Sequence, residues 1–182
     1  CLGLLGLFFI NFPNKEPSSS KEFTIGSPFR LIDHHGKIIT EQEFIGHPSL
    51  LFFGFTHCPD VCPTTMSKLS VLFDELGSNA DLIKVYFITL DPDRDTPEVL
   101  ANFLGAFHEK FIAITGNIND LEALAKSWKV YWKRSKTSDG NYTLDHTASV
   151  LLLNSKSNFV GTIGWKEDPA IALEKLKRLA KK

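Results

Sequence analysis

One stretch constrains the fold more than any other. Residues 49–55 (SLLFFGF) form an unbroken apolar run, and the next ten positions hold two cysteines, each followed by proline. A short apolar run with no polar alternation reads as a central strand covered on both faces. The next segment reads as a helix: Met66, Leu69, Leu72, Phe73 and Leu76 recur at helix spacing over residues 63–76, and Gly77 stops the run. A strand that turns directly into a helix places the turn at the carboxyl end of a sheet, where α/β proteins build their sites.

The same strand-then-helix pattern continues along the chain. Strands are expected at residues 29–33, 83–90, 111–115, 148–153 and 159–163, with a turn at 34–37 and another at 154–158. Helices are expected from the Thr96 cap to about 107, over 119–128, and over 168–180. These elements define an α/β fold with a central mixed sheet flanked by helices, the layout of thioredoxin-like proteins.

Residues 1–12 (CLGLLGLFFINF) are apolar but shorter than the roughly 20 residues that span a bilayer. They read as the remnant of an N-terminal membrane anchor or signal segment, with lipidation of Cys1 as the alternative. Residues 13–22 then read as a linker and 23–182 as one domain. The formal net charge of -1 gives no general pull toward nucleic acid, and no nucleic-acid motif is present.

The chain has three cysteines, too few for a disulfide framework in a domain with a full core. Cys58 and Cys62 lie in THCPDVCPT, between the central strand and the first long helix. A residue before proline is driven out of the helical region, so the two should not share a regular helix. Pro63 suits a first helical position, which makes Cys62 the expected cap, with its thiol acidified by helix amides. Two thiols on one loop can form a disulfide, hold a soft metal, or alternate between these states. A closed zinc site would need two further ligands, whereas copper is satisfied by two sulfurs and an imidazole.

Six histidines are available. His34, His35, His47 and His108 fall in turns or loops and are expected to be exposed. His57 adjoins Cys58, but the strand end should aim the two side chains apart. His146 immediately precedes the strand at 148–153, where thioredoxin-like redox proteins carry a cis-proline facing the cysteines. No proline stands there in this chain. Spacing alone leaves His146 either an ordinary loop histidine or a third ligand, with Asp145 available to orient its second ring nitrogen.

Three stretches together resemble the Sco/SenC family of copper proteins: FGFTHCPDVCPTT at 53–65, LDPDRDTPEVL at 90–100 and LDHTASVLLL at 144–153. The resemblance implies a thioredoxin-like domain that binds one copper ion, as Cu(I) or Cu(II), through Cys58, Cys62 and His146. It also implies a role in assembling the dinuclear copper centre of cytochrome c oxidase subunit II, with another copper protein as a possible donor. Family members are anchored by an N-terminal helix and face the bacterial periplasm or the mitochondrial intermembrane space.

An enzymatic alternative uses Cys58 and Cys62 as the redox pair of a thiol-disulfide reductase acting on the oxidase subunit. Cys62-Pro63-Thr64 also resembles a peroxiredoxin segment, but the threonine that family needs three residues upstream is Pro59 here. Asp91 and Arg94 are expected to serve turn chemistry or to tune charge near the cysteine loop. The basic stretch Lys126, Lys129, Lys133, Arg134 and Lys136 is expected to be a solvated face or a docking patch for an acidic partner.

Overall fold

The structure is a computed structural model that describes residues 26–138 and 140–181. The expected anchor remnant and linker lie outside the described residues. Among those described, no helix is long and apolar enough to cross a membrane.

The central strand is β3 (Ser49–Gly54), and every one of its residues is buried. β4 (Lys84–Thr89) runs parallel to it in a register that pairs Gly54 with Thr89, and β5 (Phe111–Thr115) runs parallel to β4. Their apolar runs are continuous because helices cover both faces of a parallel core. Antiparallel strands complete the sheet: β1 (Arg30–Asp33) and β2 (Ile38–Thr40) on one side, β8 (Val150–Leu153) and β9 (Phe159–Ile163) on the other. The full order is β2-β1-β5-β4-β3-β8-β9. This is the expected mixed sheet and the thioredoxin-like architecture. Its core is rich in phenylalanine, with Phe44, Phe52, Phe53, Phe55, Phe73 and Phe87 all but inaccessible.

Four helices flank the sheet: α1 (Val61–Leu76), α2 (Pro97–Leu104), α3 (Ile118–Ser127) and α4 (Pro169–Leu179). α1 and α4 pack against each other. α2 starts as expected, with the Thr96 hydroxyl accepting from Val99 N and proline in the first turn. It ends at Leu104, short of the expected 107.

α3 closes on a Schellman motif. Val130 N donates to Ala125 O at 2.9 Å and Lys129 N to Lys126 O at 3.1 Å. Lys129 adopts φ 58°, a position that usually belongs to glycine.

Three strands lie outside the expected set: β2, which returns from the turn at 34–37, and the pair that forms a ribbon. The basic stretch enters β6 (Trp132–Lys136), which pairs with β7 (Tyr142–His146) in a two-stranded ribbon outside the main sheet. The strand expected at 148 begins at Val150, because residues 147–149 carry the chain from the ribbon into the sheet.

Candidate metal centre

β3 ends at Gly54, and the chain turns through Phe55, Thr56 and His57, with Cys58 N donating to Phe55 O at 3.3 Å. Asp60 is the N-cap of α1, so Cys62 lies inside the first turn and Pro63 is third. This corrects the expectation that Cys62 is the cap. The helix begins earlier because Val61 and Cys62 can adopt helical angles once Pro63 sits in a turn whose amides need no partner.

That shift exchanges the roles of the two sulfurs. Cys62 N donates to Cys58 Sγ at 3.4 Å, so Cys58 is the sulfur that receives a helix N-terminal amide. Cys62 Sγ points inward, and the residue is 0% exposed. A hydrogen bond from Cys62 pulls the Cys58 thiol down to about 3, against the opposing effect of burial. The amides of Cys62 and Asp60 add to this pull. Cys62 is pushed upward by its bond to Cys58, by burial and by repulsion from the Cys58 charge. The surroundings therefore favour charge on Cys58 over Cys62, the reverse of the sequence expectation.

Gly54 makes room for this arrangement. A β-carbon there would lie 2.8 Å from Cys62 Sγ and 3.1 Å from the Phe87 ring. Any side chain on Gly54 would displace the buried sulfur.

His146 arrives from the last position of β7. Its Nε2 lies 3.5 Å from Cys62 Sγ, and its Nδ1 lies 2.9 Å from the Thr147 carbonyl oxygen. A carbonyl only accepts, so Nδ1 carries the proton and the Nε2 lone pair faces the sulfur. Asp145 does not orient the ring. It is exposed and accepts from Ser135 Oγ at 2.7 Å, because β7 sends alternate side chains to opposite faces. The rings of Phe55 and Phe52 meet the imidazole edge-on at 5.8 and 6.1 Å.

The ligand atoms of Cys58, Cys62 and His146 all lie within 4.8 Å of one another, and no other such cluster occurs among the described residues. Metal–sulfur and metal–imidazole bonds of about 2.3 and 2.0 Å at trigonal angles separate sulfur from nitrogen by about 3.7 Å. The 3.5 Å between Cys62 Sγ and Nε2 fits that requirement with almost no movement. Two soft sulfurs with one imidazole, walled by aromatic rings, suit a soft cation such as Cu(I).

The remaining histidines are elsewhere. His57 is exposed and stands 3.9 Å from Asp95. His34 is half-buried rather than exposed, because its Nδ1 accepts from Ala113 N at 3.1 Å. His47 is half-buried against Ser49, and His108 stacks on Phe111.

The segment 91–95 has a larger part than turn chemistry. Buried Asp95 takes hydrogen bonds from Thr56 N at 3.0 Å, Thr56 Oγ1 at 2.5 Å and Thr89 Oγ1 at 2.6 Å, which fixes the cysteine turn. Asp91 accepts from Arg94 Nε at 2.5 Å and from the Tyr142 hydroxyl at 2.7 Å. The Tyr142 ring is stacked between the guanidinium groups of Arg94 (3.8 Å) and Arg134 (4.0 Å). Arg134 also pairs with Asp93 at 3.0 Å. One short loop thus braces both the cysteine turn and the ribbon that carries His146. Sequence reading missed Tyr142 and Thr56. The unusual density of charge in DPDRD was the available signal.

Fold and site together define a class: a thioredoxin-like domain with a two-cysteine, one-histidine centre matched to a soft metal ion. The chain belongs to the SCO1/SenC family, whose model matches residues 17–181. It is 42% identical over 139 residues to an SCO2-like protein of Rickettsia prowazekii, covering 75% of this chain and 67% of that one. It is 37% identical over 156 residues to the mitochondrial SCO1 homolog 1 of Arabidopsis thaliana, covering 85% of this chain and 46% of that one. The chain therefore spans about half the length of the Arabidopsis relative. Among solved structures, copper-bound ScoI of Bradyrhizobium japonicum matches with a TM-score of 0.79 at 40% identity, over 86% of this chain and 99% of that one. Copper-bound yeast Sco1 matches with a TM-score of 0.78 at 31% identity, over 87% and 89%.

Proposed function

We propose that this protein is a copper chaperone that holds one copper ion through Cys58, Cys62 and His146. It delivers that ion to cytochrome c oxidase subunit II during assembly of the dinuclear centre. The observation that carries this reading is the Nε2 lone pair of His146 facing the buried Cys62 sulfur at 3.5 Å, with the Cys58 sulfur within 4.8 Å of both. Copper is the cargo. An open three-ligand set holds it without enclosing it, so thiols of an acceptor can enter and take over the ligands one at a time. Relatives solved with copper bound, from Bradyrhizobium japonicum at 40% identity and from Arabidopsis thaliana at 34%, support this choice of metal. On this reading the domain works in the bacterial periplasm, with the mitochondrial intermembrane space as the alternative.

A second reading rests on the asymmetry of the cysteines. A half-buried Cys58 whose surroundings favour charge, beside a buried Cys62 whose surroundings oppose it, is the arrangement of an attacking and a resolving thiol. Such a pair can reduce a disulfide in the oxidase subunit and finish as a Cys58–Cys62 disulfide. The two readings separate in one experiment. Copper-loaded and copper-free reduced protein are each mixed with the soluble domain of subunit II, once with its cysteines reduced and once oxidised. Delivery is expected to move copper onto the reduced acceptor. If copper stays with this protein while the oxidised acceptor is reduced, the reductase reading replaces delivery.

A further inference from the structure

We propose that an apolar groove, which begins beside the metal centre and runs along α1, docks an extended segment of the protein that takes copper from Cys58, Cys62 and His146. The segment is apolar in its middle and carries a lysine or arginine about six residues from the cysteine that receives the metal. This names the recognition step of the copper-delivery reading and rests on that reading.

The groove lies between α1, the end of β9 with the turn that follows it, and the start of α4. Leu69, Leu72, Val150, Ile163 and Ala172 form its buried floor. Val71, 56% exposed, and the half-buried Trp165 stand in its walls. A single exposed apolar side chain is ordinary on a protein surface. A continuous apolar trough with an aromatic wall is the form of a recognition site.

Its near end adjoins the metal centre, because both elements that carry ligands continue straight into its wall. On α1, Cys62 is followed at helical spacing by Thr65 and Leu69, and both line the groove. Thr65 is only about 4.5 Å along the helix axis from Cys62. On the other side, Ala148 lines the groove two residues after His146, so its Cα lies within about 7 Å of the histidine's. An acceptor must bring its own thiols to this open ligand set, and the chain that continues from such a thiol meets the trough.

Three charged side chains line the groove, and the fold holds two of them. Lys68 lies 5.0 Å over the Trp165 ring and donates to the Trp165 carbonyl oxygen at 3.2 Å. Glu167 accepts from Gly164 N at 3.1 Å and pairs with Lys175 at 2.7 Å. Glu75, at the far end, is exposed and makes no ion pair among the described residues. From Cys62 to Glu75 the helix rises about 20 Å, a span that about six extended residues cover. The complement of this surface is a cysteine, an apolar stretch and a cation in that order, in either chain direction. Thiol, apolar side chains and cation together on one extended backbone make the occupant a protein segment.

The test uses the full chain loaded with Cu(I) and three synthetic peptides that share one two-cysteine core. In the first, each flank alternates leucine with serine and ends in lysine about six residues from the nearer cysteine. The second replaces every leucine by serine, and the third replaces each terminal lysine by glutamate. In transfer the ion leaves its three protein ligands as Cu(I) for the two peptide thiolates. The thiol protons pass to the released cysteines, and no electron moves. By stopped flow at low peptide concentration, the leucine–lysine peptide is expected to take copper about tenfold faster than either of the others. Val71→Gln should cut that advantage about threefold while the chain loads copper as wild type does. Glu75→Lys should hand the preference to the glutamate-ended peptide. Equal rates for the three peptides, or a lysine preference that survives Glu75→Lys, would overturn the docking proposal and leave the copper reading standing. The proposal also falls if Val71→Gln dissociates a dimer, releases the chain from neutral phospholipid vesicles, or speeds all three peptides alike. Those results assign the groove to a second copy, to a membrane or to the chain's own residues 1–12. A chain that loads no copper, or passes none to any peptide, overturns the delivery reading itself, and docking falls with it.

Discussion

The Tyr142 hydroxyl donates to Asp91 Oδ1 at 2.7 Å across 51 residues of sequence, and this contact ties the ribbon bearing His146 to the loop that also secures the cysteine turn. Residues 91–95 thus brace both halves of the metal centre, which also touch directly where Cys62 Sγ meets His146 Nε2. Asp91 is fully buried, so its oxygens need partners that water does not supply.

Tyr142→Phe removes one of those partners and leaves the ring between its two arginines intact. Loss of a hydrogen bond to a buried carboxylate should cost about 1–3 kcal/mol in urea unfolding. Copper affinity should fall as well, because His146 closes the same strand. A variant as stable as wild type with full copper affinity would show that the brace is incidental.

Asp95 offers a pH test. Burial, the largest influence, raises its carboxyl above the usual value, with its hydroxyl and amide partners opposing. A carboxyl whose folded pKa is raised binds its proton more tightly in the native state. Its contribution to stability is full below the unfolded value and is lost as pH rises through the folded one. The difference in unfolding free energy between wild type and Asp95→Asn should therefore shrink as pH climbs from about 4 toward 7. A difference that grows over that window would mean the ionised form is the one the fold prefers.

The cysteines should label unequally. With Cys58 held down to about 3 and Cys62 pushed up, iodoacetamide should modify reduced, metal-free protein at Cys58 first. The rate should be nearly flat from about pH 5 to 8, since thiolate is the reacting form and is already complete. Mass spectrometry locates the adduct. Preferential labelling of Cys62, or a rate rising about tenfold per pH unit up to an ordinary cysteine value near 8.5, would reverse the assignment.

Much of this was legible in the chain. The unbroken apolar run of β3 marked the middle of the sheet, and Thr96-Pro97 marked a helix start that the structure reproduces. The cysteine loop stood out because two cysteine–proline pairs sit between a buried strand and a helix. The ribbon did not stand out. Trp132–Lys136 (WKRSK) has no alternating apolar pattern, and its stability comes from Arg134, Tyr142 and Asp91, which meet only in three dimensions. The order of the thiol acidities was hidden for a related reason. It depends on which sulfur is buried and which receives the helix amide, and an earlier start of α1 reversed both. His146 was a candidate by position, but its tautomer is set by the Thr147 carbonyl, which no spacing rule identifies.

Copper titration of the reduced His146→Ala variant, with X-ray absorption to count sulfur and nitrogen ligands, tests the metal centre most directly. Wild type should take up one copper on two sulfurs and one nitrogen. The variant should lose the nitrogen and at least tenfold in affinity, about 1.4 kcal/mol or more, while Cys58 and Cys62 still form their disulfide on oxidation. Unchanged affinity with a nitrogen ligand retained in the variant would contradict a metal centre closed by His146.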